Sequence, residues 1–377
     1  MSPSRRYVLD ARTATNHFPG IGRYVTSLAS AMLPQLQDEL LVLLQESRSP
    51  SLFEGPFDRH KVEVVTVDAT PFGAQQQFRI PPILRKLADQ GPVVYHSPYY
   101  LMPYQPGVPT VVTVHDLIPM LLPDTVSARA RLLFRFTMRM ALAAAQKVVC
   151  VSQATAADLQ QWFDIDAGKV TVIHHAPDPR FCPQSLEHTE MARQRLGIPG
   201  RYLLYVGINK PHKNLVELVE AFALAGDRSL TLVIAGAWDD RYPEVKEAIG
   251  RLNLEESVLL AGRVSEELLP GLMAGATGFV FPSLYEGFGL PVVEAMACGT
   301  PVACSRVSSL PEVGGDAVLY FDPADRRQIA TAILRLGNDE DLRRRLRQKG
   351  LARAATMTWS HAARQTLELY RSISPIR

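Results

Sequence analysis

Two doubly wound α/β domains in tandem are predicted, on three observations. Short apolar, β-rich runs alternate with helical patterns along the whole chain, which points to parallel sheets flanked by helices. At 377 residues the chain is longer than a single hydrophobic core usually grows. The periodicity is interrupted in H-H-A-P-D-P-R-F-C-P-Q-S, His174 to Ser185, where prolines and polar residues mark a boundary.

In the first half, strands are predicted at Tyr7–Asp10, Leu40–Leu44, Val62–Val67, Val93–His96, Thr110–Val114, Val148–Val151 and Val170–Ile173, with helical patterns between most of them. In the second half they fall at Tyr202–Val206, Leu230–Ala235, Val258–Ala261, Gly278–Phe281, Pro301–Cys304 and Val318–Phe321. Helices such as Leu215–Ala225 and Glu266–Ala274 separate these. A last periodic segment, Ser360–Arg371, has no place that pattern alone can assign. Ligands of such open sheets bind at the carboxyl ends of the strands, so function is expected in a cleft between the halves.

Composition narrows the class. Hydrophobic residues make up 47%, charged residues 21%, and the net charge is +2, as in a globular protein and unlike a dedicated nucleic-acid binder. The N-terminus lacks the apolar region of a signal peptide, and no stretch stays apolar for the roughly 18 residues of a membrane span. A cytoplasmic protein is expected, and the scattered Cys150, Cys182, Cys298 and Cys304 then read as buried, reduced thiols. One helix qualifies this. Ala128–Ala145 sets Arg131, Arg135 and Arg139 four apart, with Leu, Phe and Met on the remainder, and the Arg129–Arg139 segment suits peripheral contact with anionic headgroups. Its other reading is a solvated arginine face over a core-packed helix.

The chemistry concentrates in S-L-Y-E-G-F-G-L-P-V-V-E-A-M-A-C-G-T-P, Ser283 to Pro301. A buried strand ends at Phe281, Gly287 and Gly289 let backbone approach a ligand, and Pro291 suits the first turn of a helix whose free N–H groups form an anion site. Glu286 in the loop and Glu294 in the helix can each accept paired hydrogen bonds from vicinal hydroxyls, one from a sugar and the other from a ribose. A nucleotide sugar has that shape. Read singly, Glu286 is a solvated loop residue and Glu294 a stabiliser of its helix dipole.

Three further stretches bear on a ligand. In Y-V-G-I-N-K-P-H-K-N-L, Tyr205 to Leu215, the strand ends at Gly207, and Lys210 and Lys213 stand at a strand-to-helix turn where they can neutralise a diphosphate. In T-V-V-T-V-H-D-L-I-P, His115 follows an apolar strand, either as a structural residue or as a partner for a sugar hydroxyl. F-P-G-I-G-R-Y, Phe18 to Tyr24, opens the first helix with Gly20 and Gly22 and lacks the third glycine of a dinucleotide fingerprint.

These segments, together with S-L-P-E-V-G-G-D-A, resemble over essentially the whole chain the family 4 retaining glycosyltransferases of GT-B fold. The likeness is greatest to the mannosyltransferase-type members of bacterial polysaccharide synthesis. The resemblance implies three segments: 1–178 as an acceptor-side domain, 179–358 as a nucleotide-sugar domain, and 359–377 as a helix returning to the first. It implies catalytic parts for His115, Glu286 and Lys213. The donor would be held by Gly22, Gly207, Asn209, Lys210, Lys213, Arg263, Val264, Glu286, Gly287, Phe288, Gly289, Leu290 and Glu294. Mannose from GDP-mannose would pass to a glycan or lipid-linked glycan acceptor, with retention, no cofactor and no essential metal. Many relatives carry an arginine where this chain has Ile208, so Lys210 supplies that charge or the diphosphate is held less tightly. A UDP-sugar transferase, a nucleotide-sugar epimerase or hydrolase, and a non-catalytic glycan-binding partner are the alternatives.

Overall fold

In the computed structural model, residues 5–14, 19–47 and 61–374 are described, and the N-terminal residues 1–4 and Phe18 of the first glycine stretch lie outside them. The chain divides into two compact units, one formed by Met1–His175 with Thr358–Arg377 and the other by Ala176–Met357.

The first unit carries seven strands: β1 Arg6–Asp10, β2 Leu40–Glu46, β3 Val62–Val67, β4 Val93–Ser97, β5 Thr110–Val114, β6 Lys147–Cys150 and β7 Val170–Val172. They form one parallel sheet in the order β3-β2-β1-β4-β5-β6-β7. The central β4 and β5 are buried throughout, as expected of parallel strands covered on both faces, whereas the edge strand β3 exposes Glu63, Val64 and Thr66. Val8, Val42, Tyr95, Val112 and Val148 of the sheet pack with Ile80, Leu84, Met138 and Leu142 of the flanking helices.

The second unit has β8 Arg201–Val206, β9 Leu230–Ala235, β10 Val258–Gly262, β11 Gly278–Phe281, β12 Val302–Ser305 and β13 Leu319–Phe321, all parallel, in the order β10-β9-β8-β11-β12-β13. The chain winds outward from β8 to β9 and β10, then returns to β11 on the other side. That reversal puts a switch point between β8 and β11, where Gly278 pairs with Leu203 and Phe279 with Leu204. The carboxyl ends of these two strands lead into the Gly207 loop and the Glu286 loop.

The last helix, Trp359–Ser372, is placed by its buried stripe of Trp359, Ala362, Ala363, Thr366, Leu367 and Tyr370, spaced at three and four. Thr358 caps it, accepting from the His361 N–H at 3.1 Å. It packs on the helix Pro19–Met32 within the first unit. There Tyr370 meets His96 Nδ1 at 2.5 Å, and Arg371 donates to Glu39 at 2.7 Å. The helix predicted from Glu266 begins at Leu269, one turn later. Cys150, Cys298 and Cys304 are buried and Cys182 is exposed, so the expectation of buried thiols is corrected at Cys182, which lies in the polar, proline-rich boundary segment.

Candidate active site

Two of the residues predicted to act, Lys213 and Glu286, meet at the β8/β11 switch point of the second unit. Lys213 ends the turn Pro211–Lys213 that follows β8. Its Nζ lies 2.6 Å from Glu286 Oε1 in the loop after β11, and a backbone bond from Leu284 N–H to His212 O, at 2.8 Å, ties the same two loops. Beneath them the Phe281 ring stacks on Tyr205 at 5.8 Å, and Lys213 Nζ stands 5.5 Å from the centroid of Phe281. Glu286 is 8% exposed, which rules out its reading as a solvated loop residue.

The Glu286 loop is held from behind by residues that carried no recognised signal as holders. Ser308 Oγ accepts from the Glu286 N–H at 2.9 Å, and Ser309 Oγ lies 2.9 Å from both Glu286 O and Phe288 O. Ser309 opens S-L-P-E-V-G-G-D-A, whose one sequence signal is its likeness to relatives, and Ser308 precedes it. Gly289 makes the turn into the helix Leu290–Ala297 at φ +96°, and an added Cβ would lie 2.6 Å from Leu310 Cδ2. Leu290 starts that helix, whose N-terminus has no side-chain cap. Glu294 sits further along it, 2% exposed, past the first turn, which contains no acidic residue, so its reading as a first-turn dipole stabiliser is corrected. Gly287 and Phe288 are buried in the loop.

The remaining donor-set residues separate by role. At Gly207 a Cβ would fall 2.4 Å from the Tyr205 hydroxyl, so only glycine fits. The Asn209 side chain donates to Asp239 O and Tyr242 O, each at 2.9 Å, and accepts from Asp239 N–H at 2.6 Å. Those bonds make Asn209 the clamp of the segment after β9, and its side chain is committed there. Lys210 is exposed, whereas burial, with Lys213 and Lys210 nearby, pulls His212 down to about 3 and keeps it neutral. Arg263, exposed, and Val264 follow the edge strand β10. The structure thus gathers Lys213, Glu286 and the Gly287–Leu290 turn, and leaves Arg263 and Val264 at the end of a strand two places away from β8.

In the first unit His115 follows β5 and meets Pro98 O through Nε2 at 2.9 Å. A carbonyl only accepts, so Nε2 carries the proton and Nδ1 is left as an acceptor. Burial lowers His115 to about 4, so the ring is neutral at pH 7. Tyr24 packs edge-on at 5.1 Å, and His175 lies 5.4 Å away against Trp359 of the last helix. Gly22 lies in the helix Pro19–Met32, its carbonyl accepting from Thr26 Oγ1 at 3.1 Å. At the carboxyl ends of β1 and β4 a buried cluster forms that pattern reading had not identified: Arg12 donates to both Asp10 oxygens, at 2.8 and 2.6 Å, and Tyr95 donates to the same carboxylate at 2.6 Å.

Comparison with known proteins decides the family. The pattern described as "Glycosyl transferases group 1" matches residues 189–353, and that described as "Glycosyltransferase Family 4" matches residues 19–181. O-antigen chain mannosyltransferase B of Escherichia coli is 31% identical over 291 residues, which is 76% of this chain and 76% of that protein. The chain belongs to the family 4, group 1 glycosyltransferases. This glycosyltransferase is also 30% identical over 222 residues to O-antigen chain mannosyltransferase RfbU of Salmonella typhimurium, 59% of each chain. It is 29% identical over 276 residues to the serotype-specific mannosyltransferase WbdA of Escherichia coli, covering 69% of this chain and 33% of that one, so it spans about a third of WbdA. Among solved structures, sucrose-phosphate synthase from Thermosynechococcus elongatus superposes with a TM-score of 0.76 at 22% identity over 98% of both chains. Anabaena Alr3699/HepE in complex with UDP and glucose gives 0.74 at 22% identity, over 98% of this chain and 100% of that one. The fold is GT-B, two parallel-sheet α/β domains, as the sequence predicted.

Proposed function

We propose that this glycosyltransferase moves mannose from GDP-mannose onto a glycan or lipid-linked glycan acceptor of polysaccharide biosynthesis, in the cytoplasm. The observation that carries the chemistry is the meeting of Lys213 and Glu286 at the switch point, in the loop that leads to a helix N-terminus without a side-chain cap. The choice of sugar rests on the relatives named mannosyltransferases.

In this reading the diphosphate lies against Lys213 and the start of the helix Leu290–Ala297, where negative charge grows as the donor splits. Glu286 accepts from the sugar hydroxyls and Glu294 from those of the ribose. His115 Nδ1, an acceptor, takes a further sugar hydroxyl. The bond from the anomeric carbon to the diphosphate breaks as the acceptor oxygen bonds on the same face, and the acceptor's proton passes to the leaving phosphate oxygen. Configuration is retained. Neither carboxylate acts as a glycosidase acid or base, because both are engaged in positioning.

The test is a thermal-shift panel of GDP, UDP and ADP followed by their sugars, since a ligand of the folded state raises Tm by mass action. GDP and GDP-mannose are expected to give the largest shifts, and GDP release is expected to depend on added acceptor. A larger shift with UDP-sugars would transfer the reading to a UDP-dependent enzyme, and rapid GDP release without acceptor would favour hydrolysis. Turnover undiminished by EDTA is expected, and its loss with rescue by a divalent cation would refute metal independence.

A further inference from the structure

The helix Ala128–Ala144 leaves an apolar patch that its packing does not account for. Its inner face, Phe134, Thr137, Met138, Ala141 and Leu142, is buried in the core of the first unit. On the outside Leu132 is 69% exposed, Leu133 61% and Phe136 60%. A solvated arginine face over a packed helix would have polar residues at these three positions. The arginines are there as well. Arg129, Arg131, Arg135 and Arg139 are all exposed and the helix contains no acidic residue. Trp162, at the end of the helix Gln153–Trp162 and 38% exposed, closes one side. With Met120, Ala128, Arg131, Leu132 and Arg135 it lines a cavity of about 360 Å³.

We propose that this face is a docking surface for an anionic lipid bilayer. Leucine and phenylalanine between arginines, next to a half-exposed tryptophan, form the pattern of a helix lying in the headgroup plane: apolar side chains enter the acyl boundary and guanidinium groups pair with lipid phosphates. Charge selects the occupant. Two copies of this face brought together would set arginine against arginine, which disfavours a self-complementary dimer. An anionic surface complements all four. Exposed Asp124 precedes the helix, and Asp164 and Asp166 line a separate hollow with Arg139 at its far end, so the attachment centres on Arg131 and Arg135 between them. No helix among the described residues is long and apolar enough to cross a membrane, and attachment here is peripheral. The inference does not depend on which sugar is transferred, because it concerns a surface outside the proposed donor site.

The experiment is co-sedimentation of the full chain with phosphatidylglycerol-containing vesicles and with pure phosphatidylcholine vesicles. Binding to the first and little to the second is expected, weakening as salt rises. The triple variant Leu132→Ser, Leu133→Ser, Phe136→Ser should lose most of the binding. Arg135→Glu should weaken it by more than the roughly fivefold expected from losing one arginine charge. Both variants should keep the wild-type Tm shift with nucleotide, which confirms that the fold and donor site are intact. Equal binding to neutral vesicles, undiminished binding by the triple variant, or no binding by the wild-type chain would overturn the proposal. So would a wild-type dimer that the triple variant converts to monomer without any vesicle binding.

Discussion

Lys213 Nζ and Glu286 Oε1 lie 2.6 Å apart, with side chains only 16% and 11% exposed. The cation assigned to the diphosphate is therefore paired with the carboxylate assigned to the sugar before any donor arrives. A diphosphate must share Lys213 with Glu286 or displace it, and charge-assisted bonds of this kind are the strong ones.

Removing the carboxylate frees the lysine. Glu286→Gln is expected to bind nucleoside diphosphate at least as tightly as the wild type by calorimetry, while transfer falls on the order of a hundredfold because the sugar is mispositioned. Unchanged transfer would sink the sugar contact.

Lys213→Ala has two expected effects. Affinity for the nucleoside diphosphate drops about tenfold or more. Stability also falls, by about 3 kcal/mol, because Glu286 is left as an unpaired, nearly buried carboxylate. Denaturant unfolding of Lys213→Ala against the double variant Lys213→Ala, Glu286→Gln separates the two, since the second substitution should recover stability without recovering affinity.

Ser309 holds the loop from which Glu286 projects, through its contacts with Glu286 O and Phe288 O. Ser309→Ala should cost about 1–2 kcal/mol of stability. It should also raise KM for the donor more than it lowers kcat. A variant with wild-type KM would show that the loop is fixed without this hydroxyl.

Gly289→Ala should be worse tolerated than a loop substitution normally is. The position combines φ +96° with a Cβ placed 2.6 Å from Leu310 Cδ2. Strain of about 1–3 kcal/mol is expected, seen as a lower Tm. A Tm equal to wild type would mean that Leu310 yields.

Acid should destabilise the protein in a defined window. Burial lowers His96 to about 3 and His115 to about 4, from an ordinary value near 6.5, and lowers His175 further in the same direction. The unfolded chain then takes up protons first as pH falls, so stability declines from about pH 6.5 down to about pH 3. A Tm constant between neutral pH and pH 5 would contradict the burial of these rings in solution.

Periodicity and turn chemistry carried the architecture. Each predicted strand recurs within a residue or two, because buried parallel strands must be short, apolar and bounded by turns. The loop at Ser283–Pro301 was legible for a similar reason: glycine and proline there report backbone conformations that few other residues can adopt. Asn209 was less legible. Pattern and resemblance place it with the donor set, whereas its hydrogen bonds to Asp239 and Tyr242 join segments 30 and 33 residues apart.

The sequence by itself determined two parallel α/β sheets, the glycine turn after β11 and the pair of carboxylates eight positions apart, one in that turn and one in the helix after it. Local spacing specifies these, since backbone preference and apolar period act over a few residues. Only the tertiary structure decided that Lys213 neutralises Glu286 across 73 positions and that Ser308 and Ser309 hold the loop. It also decided that Leu132, Leu133 and Phe136 face outward while their helix packs inward. Strand order sets the first two, because the β8/β11 reversal brings the Lys213 and Glu286 loops together and the pairing of β11 with β12 sets Ser308 and Ser309 beside the Glu286 loop. The third follows from which side of a helix meets the sheet, and a helix with apolar residues on every side leaves that to packing.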